Sequence, residues 1–145
     1  LEMRTKARKL KMEKDIKLLI VDYLQLVDAG RRFDSRVNEV SFVSQNLKNL
    51  ARELKIPVLA LSQLSRAVEQ RGTRKPQLSD LRDSGGIEQD ADVVMFLYLE
   101  QETEDILDQN KKIVKLYIAK HRNGATGEMD LMFRGDRVKF YSVEK

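Results

Sequence analysis

An α/β fold, with a mostly parallel sheet flanked by helices and an antiparallel β-hairpin at its C-terminal edge, is predicted by three features of the chain. Two short continuous apolar runs, residues 18–21 and 58–61, read as strands buried on both sides. An amphipathic stretch separates them, and two alternating segments flank a turn near the end. Apolar strands joined through a helix favour parallel pairing, because each crossover lays its helix on a face of the sheet.

The elements follow in order. Residues 2–14 are rich in helix formers and read as a charged helix leading into the first strand. Val37, Val40, Val43, Leu47, Leu50, Ala51 and Leu54 recur at three- and four-residue steps, which makes an amphipathic helix with Ser35 as its cap. Pro57 forbids its continuation, and residues 58–61 form the second strand. Ser62 and Gln63 come next, then a basic segment, 66–75, that reads as a surface loop. Residues 79–89 contain Gly85 and Gly86 and read as a short helix broken by a turn. Residues 93–99 and 113–119 are further strands, and 129–133 and 138–141 flank 134–137 as a hairpin. No internal repeat is present.

Composition narrows the class. The 145 residues are 41% hydrophobic, one domain's worth of chain with enough apolar material for a core. Seven Gly and two Pro are too few for low complexity, and no apolar stretch reaches the roughly 20 residues of a membrane-spanning helix. The absence of Cys removes disulfides and thiolate metal sites, and the start of the chain has no apolar signal core, so the cytoplasm is expected. The net charge of +4 is mild for a pI of about 9.3, and its distribution says more than its total. Cations crowd residues 4–17, whereas Glu100, Glu102, Glu104, Asp105 and Asp108 form an acidic stretch; both read as solvated faces.

In parallel sheets ligands gather at the carboxyl ends of strands, and two polar residues stand there. Asp22 ends the first strand, where a carboxylate can hold Mg²⁺ through water; Gln63 follows the second, where an amide can meet a γ-phosphate or an attacking water. A strand-ending Asp also serves as a turn cap and such a Gln as a loop hydrogen-bonder, so the pairing carries more weight than either residue. No Gly is followed by Lys-Ser or Lys-Thr, so the Gly-rich phosphate cradle that accompanies such a carboxylate is not in this sequence. Lys120 and Arg122 flank His121 at the end of a strand, before Asn123-Gly124. Arg offers a planar fork and Lys a point charge to a transferring phosphoryl group. His121, the only His, has no second His to pair with and reads as a bystander.

Four segments together resemble successive motifs of the DnaB-type replicative helicases, in order and spacing. They are Leu19-Ile20-Val21-Asp22-Tyr23-Leu24-Gln25-Leu26, then residues 57–66 (PVLALSQLSR), residues 80–92 (DLRDSGGIEQDAD), and Ala119-Lys120-His121-Arg122-Asn123-Gly124. The resemblance spans the chain, and residues 80–92 separate this family from RecA-like recombinases, the nearest alternative. It implies a partial RecA-like (P-loop NTPase) fold and an ATP-dependent DNA helicase, with ATP and Mg²⁺ as cofactors. It also implies a homo-hexameric ring moving 5′ to 3′ on single-stranded DNA, with primase and a helicase loader as partners.

By that resemblance Asp22 is the aspartate that organises Mg²⁺, and Gln63 senses the γ-phosphate. Lys120 and Arg122 reach the neighbouring subunit's ATP. Arg82, Asp83 and Gly85 match the loop that grips the DNA backbone, with Asp83 standing where the family often has Glu and expected to orient that loop or accept a hydrogen bond. The family's phosphate loop and its water-polarising Glu precede the matched segments. The chain is therefore expected to be the C-terminal part, 1–145, of one ATPase domain, inactive alone, with a gap between the 58–61 and 93–99 strands that argues against independent folding. A non-catalytic fragment that holds single-stranded nucleic acid through residues 66–75 is the contrasting reading, and it would bind with salt dependence but no nucleotide effect.

Overall fold

The computed structural model describes residues 2–64, 68, 75–84, 86–99 and 111–143, with backbone alone at 82–84. The chain divides into two compact units, one of residues 1–65 and 81–91 and the other of residues 66–80 and 92–145.

In the first unit, α1 (Glu2–Lys14) leads to β1 (Leu19–Val21), a 3₁₀ turn at Leu24–Leu26, α2 (Arg36–Leu54), β2 (Val58–Ala60) and, later in the chain, α3 (Ile87–Asp90). Helix α2 starts where its sequence says it should. The Ser35 hydroxyl accepts from the Asn38 N–H at 3.2 Å, satisfying a first-turn donor that has no partner within the helix. Its C-terminus closes on Lys55 in the left-handed region (φ 52°), just before Pro57. Val40, Val43, Leu47, Leu50 and Leu54 are buried as the periodicity predicts, whereas Val37 is exposed. Ser44 is buried instead and donates to the Asp90 carboxylate at 2.8 Å, because this part of α2 lies against α3, whose acidic residue needs a donor. Ala7, Leu50, Leu54 and Ile56 form a core cluster, with Ile16 and Leu19 packed on it.

Strands β1 and β2 pair in parallel, Leu19 with Val58, Ile20 with Leu59 and Val21 with Ala60. Burial on both faces was the expectation for these runs, and the structure shows one covered face among the described residues. Val21 is buried, whereas Ile20 is 57% exposed and its partner Leu59 is also exposed.

The second unit is a four-stranded antiparallel sheet in the order β3 (Val93–Tyr98), β4 (Lys111–His121), β5 (Gly127–Arg134) and β6 (Lys139–Ser142). The predicted hairpin is present as β5–β6, but antiparallel pairing extends back to β3, because β4 is 11 residues long and pairs on both edges. Along β3, Val94, Phe96 and Tyr98 are buried while Val93, Met95 and Leu97 are exposed, the period of a strand with one wet face. Val138, expected to open the last strand, instead ends the 135–138 turn with φ 49°. A 3₁₀ stretch occupies Leu78–Ser84, and Gly86 separates it from α3, as expected for a helix broken by a turn. No helix among the described residues is long and apolar enough to cross a membrane.

Candidate functional site

The parallel pair places two of the expected residues on one edge. Asp22 directly follows Val21 and is exposed at the carboxyl end of β1. Gln63 lies three residues past Ala60, at the carboxyl end of β2, and is also exposed. The ladder holds this edge open past the last strand pairs. The Leu61 N–H donates to the Val21 carbonyl, and the Leu24 N–H to the Leu61 carbonyl, both at 2.9 Å. Between those rungs the chain carries Asp22 and Tyr23, joined by a cis peptide bond.

Gln25, which sequence reasoning assigned no role, reaches across this edge. Its Nε2 donates to Ser62 Oγ at 3.0 Å and to the Gln63 carbonyl at 3.4 Å, and its Oε1 accepts from the Gln63 N–H at 3.4 Å. Its own carbonyl accepts from the Arg36 guanidinium, which also pairs with Glu39. The available signal was position, three residues after Asp22 in a segment with no other amide side chain.

Lys120 and Arg122 stand at a corner of the antiparallel sheet in the other unit. From β3's far end, Tyr98 opposes Lys115, Leu97 opposes Leu116, Phe96 opposes Tyr117 and Met95 opposes Ile118. Then the register shifts, so that Val94 opposes Lys120 and Val93 opposes His121. One extra residue, Ala119, is accommodated in β4 as a bulge. Residues opposite each other share a face, so the bulge turns Lys120 to the side of Val94; without it Lys120 would oppose Val93 on the other side. Arg122 is fixed by main chain and side chain together. Its N–H donates to the Asp92 carbonyl at 2.8 Å, and its Nη1 lies 3.4 Å from Asp92 Oδ1, with both side chains about half exposed.

The Asn123-Gly124 pair does mark the turn, though not through the left-handed backbone of a two-residue hairpin. Gly124 is needed for a different reason. A Cβ there would sit 2.3 Å from His121 Cε1, so only Gly lets the ring lie across the turn, where its Nδ1 is 3.2 Å from the Ala125 carbonyl. His121 thus serves the turn.

The side chains of Arg82 and Asp83, all of Gly85, and residues 66, 67 and 69–74 of the basic segment lie outside what is described. Among the described residues no group of three or more His, Asp or Glu is arranged to hold a metal. A Mg²⁺ ion at this edge would therefore rest on the Asp22 carboxylate, with water and phosphate oxygens completing its shell. That donor set fits an ion usually held by one or two carboxylates plus substrate phosphates.

Residues 1–142 match the profile of the DnaB-like helicase C terminal domain. The chain is 49% identical over 145 residues to the replicative DNA helicase DnaC of Bacillus subtilis and 48% identical to the replicative DNA helicase DnaB of Geobacillus stearothermophilus. In both cases 99% of this chain is covered but only 32% of the relative, so the chain spans about a third of the length of the curated relatives it matches. A solved DnaB-like replicative helicase, described together with its interactions with primase, superposes with a TM-score of 0.84 at 42% identity, covering 98% of this chain and 34% of that one. A solved ATPase domain gives a TM-score of 0.85 at 42% identity, covering 98% of this chain and 50% of that one. These chains share the RecA-like ATPase fold, and with residues 1–142 matched by the family's profile, the chain belongs to the family of DnaB-like helicase C-terminal domains.

Proposed function

We propose that this chain is the C-terminal part of the motor domain of a replicative DNA helicase. In the full-length parent it works as an ATP hydrolase, and alone it is inactive. The carrying observation is the place of Asp22 and Gln63 just past the carboxyl ends of the paired strands β1 and β2, in a chain whose family is that of DnaB-like helicases. The phosphate loop and the water-polarising acid belong to a preceding part of the parent. The parent acts in the cytoplasm as a homo-hexamer, encircles single-stranded DNA, and unwinds duplex DNA during replication. Primase and a loader are its partners, the first supported by the primase interactions described for one solved relative.

Each residue's part follows from its chemistry. Asp22 would hold Mg²⁺ through water, and the ion when bound neutralises charge on the β- and γ-phosphates. Gln63 offers an amide donor to the γ-phosphate from a strand end whose main chain is fixed. Arg122 and Lys120 act on the neighbouring subunit's ATP, the first as a planar fork matched to the charge that develops on the transferring phosphoryl group, the second as a point charge. Arg82 and the backbone amides beside Gly85 meet DNA phosphates without reading bases, and Asp83 orients that loop. Because every site then needs a residue from the next subunit, hydrolysis requires the ring, and movement of one loop per subunit passes the strand along the channel.

The test is Arg122→Ala in the full-length protein. DNA-stimulated hydrolysis is expected to fall by roughly 10³-fold or more, the scale of a lost arginine finger, with nucleotide binding largely kept. Unchanged turnover would remove Arg122 from the site.

A further inference from the structure

The Gln25 side chain makes three hydrogen bonds at the mouth of the site, yet nothing in the proposed chemistry uses it. We propose that Gln25 is a positioning residue that fixes the end of β2 and so holds the Gln63 side chain where it can sense the nucleotide; this rests on the reading of Gln63 given above.

The geometry is that of a strand partner made from a side chain. Past Val21 the β1 backbone leaves the ladder, makes one more rung through the Leu24 N–H, and turns into the 3₁₀ segment closed by the Leu26 N–H on the Tyr23 carbonyl at 3.0 Å. Gln63 then has no strand alongside it among the described residues. The Gln25 amide takes that place, donating to the Gln63 carbonyl and accepting from the Gln63 N–H, as the main chain of a neighbouring strand would. It also donates to Ser62 Oγ at 3.0 Å, which ties down the preceding residue. Only a flat group with a donor and an acceptor can do this. Glu at position 25 keeps the acceptor alone, and Ala keeps neither.

The clamp is itself anchored. Arg36, the first residue of α2, donates to the Gln25 carbonyl and pairs with Glu39 one turn on, and α2 buries Val40, Val43, Leu47, Leu50 and Leu54 in the core. The position of Gln63 is thereby referred to a helix of 19 residues rather than to a fraying strand end. Placement matters here, because an error of about 1 Å in a group that meets the reacting phosphate costs up to roughly 100-fold in rate.

The experiment uses the full-length ring carrying Gln25→Ala, Gln25→Glu, Gln63→Ala, and Gln25→Ala with Gln63→Ala. ATP hydrolysis with single-stranded DNA gives kcat and KM, and melting temperature and ring assembly are followed beside them. Gln25→Ala is expected to lower kcat by roughly 10- to 100-fold with KM for ATP nearly unchanged, and Gln25→Glu to fall between it and the parent. The double variant should be no slower than Gln63→Ala alone, since both changes remove the same positioned amide. Normal kcat in Gln25→Ala, or additive losses in the double variant, overturns the proposal. Should Gln25→Ala fail to assemble, Gln25→Glu decides, a lowered kcat in an intact ring supporting the proposal and an unchanged one refuting it. Full DNA-stimulated turnover in Gln63→Ala would remove the reading of Gln63 and this inference with it. A slow Gln63→Ala beside a normal Gln25→Ala would remove the inference alone.

Discussion

Single residues in this protein owe their places to quite different forces, and Val138 sits where force and residue type disagree. It occupies the left-handed region at φ 49° and is 81% exposed, so a β-branched side chain adopts a conformation it disfavours and gains no burial for it. The left-handed conformation costs an ordinary L-residue about 1–2 kcal/mol, and Asn tolerates it better because its short side chain bonds locally. Val138→Asn in the full-length protein is therefore expected to stabilise the 135–138 turn by about 0.5–1 kcal/mol, read as a higher urea midpoint in a denaturation series. A lower midpoint would mean that the Val side chain makes contacts worth more than the strain. The sequence showed a turn at Gly135 and Asp136, since residue types announce turns. It did not show which residue would take the left-handed position, because that depends on the four-residue turn the flanking pairs impose. The same distinction separates Asp22 and Gln63, legible as polar residues at the ends of apolar runs, from Gln25, whose partners exist only once the 3₁₀ turn has aimed it.

At the level of elements, α1 docks on α2 through a narrow contact. Ala7 is its one buried residue, packed in the cluster with Leu50, Leu54 and Ile56, and Arg4 and Arg8 both reach Glu53 on α2, the first at 2.7 Å. The Arg8 and then the Arg4 hydrogen bonds hold the Glu53 carboxyl well down, from an ordinary 4.5 to about 2. A carboxyl with a lowered folded value stabilises the fold above its unfolded value, and the contribution is lost as pH falls through the folded one. The docking of α1 should therefore weaken between about pH 4.5 and 2, and also in high salt, since the pair is solvent-facing. Asp15, held at about 2 by Lys11 and then Lys17 at the helix's end, titrates in the same window. In Glu53→Gln, amide exchange in α1 should be faster already at neutral pH and change less across that window. An acid response equal to the parent's would assign it to Asp15 instead. The helices themselves were legible because a capped period of three and four residues is local, as was the β5–β6 hairpin. The pairing of β3 with β4 was not, since a continuous apolar run in sequence fits a parallel or an antiparallel partner equally well, and the Ala119 bulge that aims Lys120 leaves no signature in composition.

For the whole molecule, the residues expected at the nucleotide fall into two groups, Asp22 and Gln63 in one unit and Lys120 and Arg122 in the other. In the first unit, Ile20 and its partner Leu59 leave an apolar face of the parallel pair exposed among the described residues. The proposal assigns the two groups to opposite sides of a subunit boundary, and that division can be tested without dissecting either side. A head-to-tail ring presents one of its surfaces to the subunit before and the other to the subunit after. Asp22→Asn disables the side of the interface that holds nucleotide, and Arg122→Ala the side that reaches across, so each variant ring alone should be inactive in DNA-stimulated hydrolysis. When the two proteins are dissociated, mixed in equal amounts and reassembled, about a quarter of interfaces should bring an intact Asp22 against an intact Arg122 by chance pairing in a ring of like subunits. Activity should reappear in the mixture, rising to its maximum near equal proportions and vanishing at either end. If Arg122 instead served the nucleotide of its own subunit, every subunit in the mixture would carry one disabling change and no proportion would restore turnover. Recovery in mixed rings would thus locate catalysis between subunits rather than within them.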